Sequence, residues 1–379
     1  MNQIYLDHAA TTPMHENVIK EMTRIMANVY GNPSSIHQFG RQADFELENA
    51  REEIAKGVNA KPTEIIFNSG GTEGDNTALI QTAISQQDKG KHIISTNVEH
   101  SAVLHSLEYL ETLGFDVTYL PVNDKGAITV EQVANVLRED TILVTVMYGN
   151  NEVGTIFPIK EIGKLLENHQ ALLHTDAVQA FGTEKIDVHD LNVDYLSISG
   201  HKINGPKGVG FLYIKKGAFV PIMLRGGEQE EKKRAGTENL AGIVGLSQAI
   251  QLLTDEQKKD NCKKYEEFRR IILDKLTANG IDFEINGDET NHLAHILNIW
   301  FKGIPSNILL SKLDLQGFAI STGSACSAGN VAPSPVIQAM KKESPKAAIE
   351  SIRVSFGYGL TDEDIELFSE ALVNLIKEF

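Results

Sequence analysis

LLHTDAVQA (172–180) and YLSISGHKINGPKGVG (195–210) decide how this chain folds. One apolar run ends in His174-Thr175-Asp176-Ala177-Val178-Gln179. A second, 195–199, ends in Ser199-Gly200-His201-Lys202 with a Gly/Pro-rich turn behind it. Each run is short enough for a buried strand, and each delivers an ionisable side chain just past its end. An acid and a lysine so placed suit pyridoxal 5'-phosphate (PLP). Asp176 would keep the pyridine nitrogen protonated, and Lys202 would carry the cofactor as a Schiff base. Lys202 is preferred to Lys207 because it closes an apolar run, where desolvation lowers an amine pKa. Lys207, inside Gly-Pro-Lys-Gly, reads as a turn or solvent residue.

Working outward, short β-branched runs alternate with helical patterns. Strands are expected at 64–68, 92–96, 116–120, 142–147, 171–175, 195–199 and 210–214, with helices such as 73–86, 101–113, 130–137 and 159–168 between them. That rhythm predicts an α/β fold, a mainly parallel sheet flanked by helices on both faces. The strand at 210–214 follows the lysine turn closely enough to run antiparallel. A charged helical pattern from 255 to 275 opens a second region. It continues with 295–300, a helical 304–313, a loop at 322–334, 351–356 and an amphipathic 363–379, the order of a smaller α+β domain. The expected division is 13–255 for a large cofactor-binding domain, with 1–12 and 256–379 forming the small one.

Asn68-Ser69-Gly70-Gly71-Thr72 follows a strand and opens a helix. Gly71 and Thr72 could therefore cradle a phosphate with backbone N–H groups and a hydroxyl. An ordinary strand–turn–helix with a Thr cap has the same look, and Asp176 with Lys202 tips the balance. His100 stands where another strand gives way to a helix; it could stack on the ring and shuttle protons, or simply cap that helix. His201 and Ser199 could donate to the phosphate, and Gln179 could reach the ring's phenolic oxygen.

Composition sets limits. The 379 residues are 41% hydrophobic, enough for a large core. With 35 Lys and Arg against 51 Asp and Glu, the net charge of -16 argues against general affinity for nucleic acid or an anionic membrane. Lys232-Lys233-Arg234 is a local basic run, expected as a solvated or interface loop. No secretory pattern opens the sequence, and no apolar run approaches the roughly 20 residues that span a bilayer. Two cysteines, Cys262 and Cys326, cannot make a disulfide framework. No metal is expected, and a cytoplasmic enzyme is the plain reading.

Nine motifs in order resemble the NifS/IscS-type cysteine desulfurases, fold-type I PLP-dependent transferases of the class V aminotransferase group. They are Tyr5–Pro13, Gly31–His37, Ser69–Glu73, Glu99-His100, Asn150–Gly154, His174–Gln179, Ser199–Lys202, Arg234–Asn239 and Gly323–Cys326. The resemblance implies Lys202 as Schiff-base lysine, Asp176 as partner of the pyridine nitrogen and His100 as ring-stacking acid/base. Gln179 would bond the ring oxygen, and Asn150 would lie beside ring and substrate. Gly71, Thr72, Ser199, Gly200 and His201 would form the phosphate cup. Thr237 matches the threonine that reaches the neighbouring subunit's phosphate, which implies a homodimer. Arg353 would grip the substrate carboxylate with its planar fork. The chain departs from the family at Gly71-Thr72-Glu73-Gly74-Asp75 and at His8, which stands in the N-terminal motif where Tyr or Asn is usual.

Cys326 lies in a run of small polar residues and cannot be core filler, whereas Cys262, on a charged helix, reads as incidental. The resemblance implies conversion of L-cysteine to L-alanine. Lys202 would remove the Cα proton, and the Cys326 thiolate would take the sulfur as a persulfide. Acceptors would be an iron–sulfur cluster assembly scaffold or a tRNA thiolation enzyme. Competing readings are a selenocysteine lyase or aminotransferase of the same fold, or a non-catalytic sulfur-carrier scaffold; intact Lys202, Asp176 and Cys326 speak against the last.

Overall fold

The computed structural model describes residues 3–322 and 333–379. The short strand β1 (Ile4–Tyr5) precedes a large unit whose strands are β2 (Ile65–Asn68), β3 (His92–Thr96), β4 (Asp116–Leu120), β5 (Thr141–Thr145), β6 (Leu172–Asp176), β7 (Tyr195–Ser199) and β8 (Gly210–Ile214). Among the described residues these seven form one sheet in the order β2-β8-β7-β6-β5-β3-β4. Neighbours pair in parallel except at β8, which runs antiparallel to both β2 and β7. The sequence predicts that exception: seven residues, 203–209, separate Lys202 from β8, too few for a crossover helix.

The strands are buried along their whole length, apart from the edge strand β4 and the first residue of β6. A parallel sheet covered on both faces requires this, and it explains the continuous Val/Ile/Leu runs. The carboxyl ends of β2, β3, β5, β6 and β7 open on one edge. There the strand order reverses between β3 and β5, the place where open α/β sheets bind ligands. The helix expected at 73–86 is in three pieces: Gly71–Asn76, a π-wound stretch Thr77–Gln81, and Thr82–Gln86.

A second sheet, β12-β10-β9, is made of β9 (Glu284–Asn286), β10 (Ile296–Trp300) and β12 (Ser351–Ser355), all antiparallel. The helices Asp255–Ala278 and Asp362–Ile376 pack with it, joining Phe268, Ile272, Leu297, Ile299, Val354 and Phe368 in a core separate from the main one. Ile4 and Leu6 enter this second core, and β1 pairs in parallel with β11 (Phe318–Ala319). Residues 9–12 instead cross to the lysine turn. Thr12 Oγ1 donates to the His201 carbonyl at 2.8 Å and accepts from Asn204 N at 2.8 Å. The helix Pro335–Met340 likewise sends Val336, Ile337 and Met340 into the main core, and β10 serves both cores, Ile296 and Trp300 in the main one and Leu297 and Ile299 in the second.

Candidate active site

At the carboxyl end of β2, Asn68 Oδ1 accepts from Gly70 N at 3.0 Å and turns the chain into the helix Gly71–Asn76. Gly70 has φ +140°, which disfavours any side chain. At Gly71 a Cβ would sit 2.9 Å from Val178 Cγ2, so only glycine leaves the backbone open there. Glu73 braces the turn, accepting from Ser69 N at 2.8 Å and pairing with Arg234 Nε at 2.9 Å. The basic run at 232–234 is thereby spent internally, since Lys232 pairs with Glu228 and Lys233 with Glu231.

Beyond β8 and β7, β6 ends in Asp176, whose Oδ1 accepts from Val178 N at 2.9 Å. Burial first, then the nearby Asp75, pushes its pKa up to about 6. Past β7, Lys202 Nζ donates to the carbonyls of Ala9 at 2.5 Å and Ala10 at 2.8 Å, so the N-terminal motif supplies the seat for the amine. A cavity of about 680 Å³ unites these groups, lined by Gly71, Thr72, His100, Asp176, Lys202 and Arg353 among others. Gln179, Ser199 and His201 share the wall.

His100 keeps both of its readings. Its Nδ1 caps the helix Ser101–Thr112 by accepting from Ala102 N at 3.1 Å, and its ring also lines the cavity. A capping Nδ1 carries no proton, so Nε2 bears the hydrogen and the neutral ring has a donor to offer. Burial holds its pKa low, Asp176 opposing and Lys202 adding to that effect. Gln179 donates from Nε2 to Ala9 O at 2.8 Å, and its Oε1 lies 3.2 Å from His295 Nε2. Arg353, on β12, directs Nη2 to Asp7 Oδ1 and Nη1 to the Asn151 carbonyl, both at 2.8 Å.

Three expected residues lie off this wall. Asn150 is fully buried, its Nδ2 donating to Val98 O at 3.0 Å and its Oδ1 accepting from Glu152 N and Val153 N. It shapes the loop whose neighbours Gly149 and Asn151 line the cavity. Gly200 is buried under Pro206 O and Leu246. Thr237 is exposed, on a loop anchored by the buried pair Arg51 Nη2–Glu230 Oε1 at 2.7 Å. Cys326 lies outside the described residues. The chain on either side of that segment is at the cavity: Ser321 pairs with Arg353 through its backbone, and Pro335 and Val336 line the wall. His8 is buried, its ring edge-on to Tyr5 at 5.1 Å.

Sequence reasoning passed over several groups at this wall. Asp75 and Glu152 line it with buried carboxyls, as does Glu99, which accepts from Met147 N at 2.9 Å. Asp7 holds Arg353. Asp7, Glu99 and Glu152 stand inside the quoted motifs, and Asp75 lies three residues, nearly one helical turn, after Thr72.

The class-V aminotransferase family model matches residues 4–368. A Bacillus subtilis protein named IscS 1 is 52% identical over 377 residues, covering 100% of this chain and 99% of its own. The cysteine desulfurase IscS of Dictyoglomus turgidum is 44% identical, covering 99% and 95%. Among solved structures, a NifS-like protein superposes with a TM-score of 0.93 at 34% identity over all of both chains. A structure of SspA in complex with cysteine does so with 0.82 at 35%, over 93% and 98%.

The chain belongs to the class-V aminotransferase family, in its NifS/IscS branch.

Its cofactor is PLP, and the residues fit that group. Asp176 is a buried acid held by one backbone bond, which a protonated ring nitrogen would satisfy. The glycines at 70 and 71 leave the cradle that a phosphate needs, and Lys202 is the amine within the same cavity.

Proposed function

We propose that this class-V aminotransferase family member is a PLP-dependent cysteine desulfurase whose site residues work as follows. The observation that carries the assignment is one cavity uniting Lys202, Asp176 and Arg353. When bound, PLP withdraws electron density from the substrate Cα. Arg353 binds the substrate carboxylate, and Asp7 fixes its guanidinium by accepting from Nη2. Lys202 Nζ takes the Cα proton; the Ala9 and Ala10 carbonyls hold that amine at the cavity wall. Asp176 keeps a positive charge at the ring-nitrogen position, and Gln179 and His100 orient the ring. The Cys326 thiolate then bonds to the substrate sulfur as the C–S bond breaks. The electron pair stays on carbon, which is protonated and leaves as L-alanine, while Cys326 keeps a persulfide. Ser321 and Pro335, at the cavity on either side of this segment, support that role.

Sulfur then passes to protein acceptors for iron–sulfur cluster assembly or tRNA thiolation. Among the described residues no helix is long and apolar enough to cross a membrane, and we assign the enzyme to the cytoplasm. We assign it to a homodimer in which Thr237 completes the other subunit's phosphate cup. Exposed Tyr30, Ile36, Phe39 and Phe45 support that assembly. This stretch borders the Thr237 loop, since Pro33, Ser34 and Asp44 share a cleft with Glu228–Glu231, Lys233 and Glu238. We also divide the chain into 13–255, and 1–12 with 256–379, because the second core draws only on 1–12 and 256–379. Incubation with L-cysteine tests the function. L-Alanine should form, and mass spectrometry should find one added sulfur on Cys326; a Cys326→Ala chain with full turnover would refute it.

A further inference from the structure

Asp75 is a carboxyl group that the reaction scheme does not use, and its setting is unusual. It sits on the helix Gly71–Asn76, is 1% exposed, and lines the cofactor cavity. Neither of its oxygens accepts a hydrogen bond of good geometry among the described residues, and the Ser197 hydroxyl offers it only a poorly aligned one. His174 Nε2 approaches Oδ1 at 3.4 Å but is directed to Ser197 Oγ at 3.1 Å. One carboxyl oxygen each of Asp75 and Asp176 and one ring nitrogen of His100 lie within 4.8 Å of one another. Glu99, the other buried acid close by, is different in kind. It accepts from Thr96 Oγ1 at 2.7 Å and from Met147 N, and so has its partners within the protein.

Two buried carboxyls this close repel when both are ionised, and a buried carboxylate with so weak a donor is costly. A cation placed against the pair removes both penalties. We propose that Asp75 is the second acid of the ring-nitrogen site, a positioning residue whose charge acts with Asp176 to hold the cofactor's protonated pyridine. Burial pushes the Asp75 pKa up to about 7, so its charge is sensitive to a cation arriving beside it. The tight packing above it agrees with a built site, because a Cβ at Gly74 would meet Ser197 Oγ at 2.8 Å.

The inference rests on Asp176 facing the ring nitrogen, and one experiment separates the two. Cofactor-free wild-type and Asp75→Asn chains are titrated with PLP and with its 1-deaza analogue, in which C–H replaces the ring nitrogen. Wild type should prefer PLP. Asp75→Asn should weaken PLP at least about tenfold while changing the analogue less than about threefold, because only PLP carries the cation. Equal losses for both ligands, the signature of a packing defect, would overturn the role of Asp75, as would an unchanged affinity for PLP. A wild-type chain that binds both ligands equally would overturn the assignment of Asp176 as well.

Discussion

At the scale of single residues, placement at a strand end decides what each ionisable group can do. Asp176 and Lys202 were legible because each follows an apolar run that must be a buried strand, and both line the cavity. Arg353 was legible only through the family pattern, because a lone arginine in a strand has no spacing that marks it. The sequence concealed its partner: Asp7 is 346 positions away and meets it only in the folded chain. Asn150 shows the reverse, a motif residue whose amide is spent on backbone groups. The Arg353 fork is planar and holds Asp7 with one nitrogen and the Asn151 carbonyl with the other, which a single ammonium cannot copy. Arg353→Lys should raise KM for L-cysteine about tenfold or more and lower kcat less than about threefold, as steady-state kinetics will show.

At the scale of elements, the site depends on turns that only glycine can make. The strand–turn–helix after β2 is legible from Asn68-Ser69-Gly70-Gly71-Thr72, since glycine pairs between a strand and a helix imply close approach. The π-wound stretch that follows was not legible, because periodicity over five residues cannot distinguish it from α-helix. Gly71→Ala would place a methyl group 2.9 Å from Val178 Cγ2, two residues from Asp176. Either the cradle or the acid must then shift. PLP affinity measured by equilibrium titration should fall about tenfold, which corresponds to about 1.4 kcal/mol, while the far-ultraviolet circular dichroism stays unchanged.

At the scale of the whole molecule, an α/β fold with one antiparallel strand was readable from the order of apolar runs. The sharing of elements between the two cores was not. Val336, Ile337 and Met340 follow the cysteine segment in sequence yet pack with the main core, a choice set by tertiary contact. The Thr237 loop is pinned by the Arg51–Glu230 pair while Thr237 itself faces solvent, as its proposed place in another subunit's phosphate cup requires. Inactive Lys202→Ala and Thr237→Ala chains should therefore restore activity when mixed into heterodimers; confirmed heterodimers without activity would count against a shared site.

The account as a whole separates proton removal from sulfur capture, giving the first to Lys202 and the second to Cys326. The most direct test is Cα hydrogen exchange of L-cysteine in deuterated buffer, followed by nuclear magnetic resonance. Cys326→Ala should incorporate deuterium at Cα yet release no alanine, and Lys202→Ala should do neither. Alanine formed by Cys326→Ala at the wild-type rate, or exchange surviving in Lys202→Ala, would contradict it.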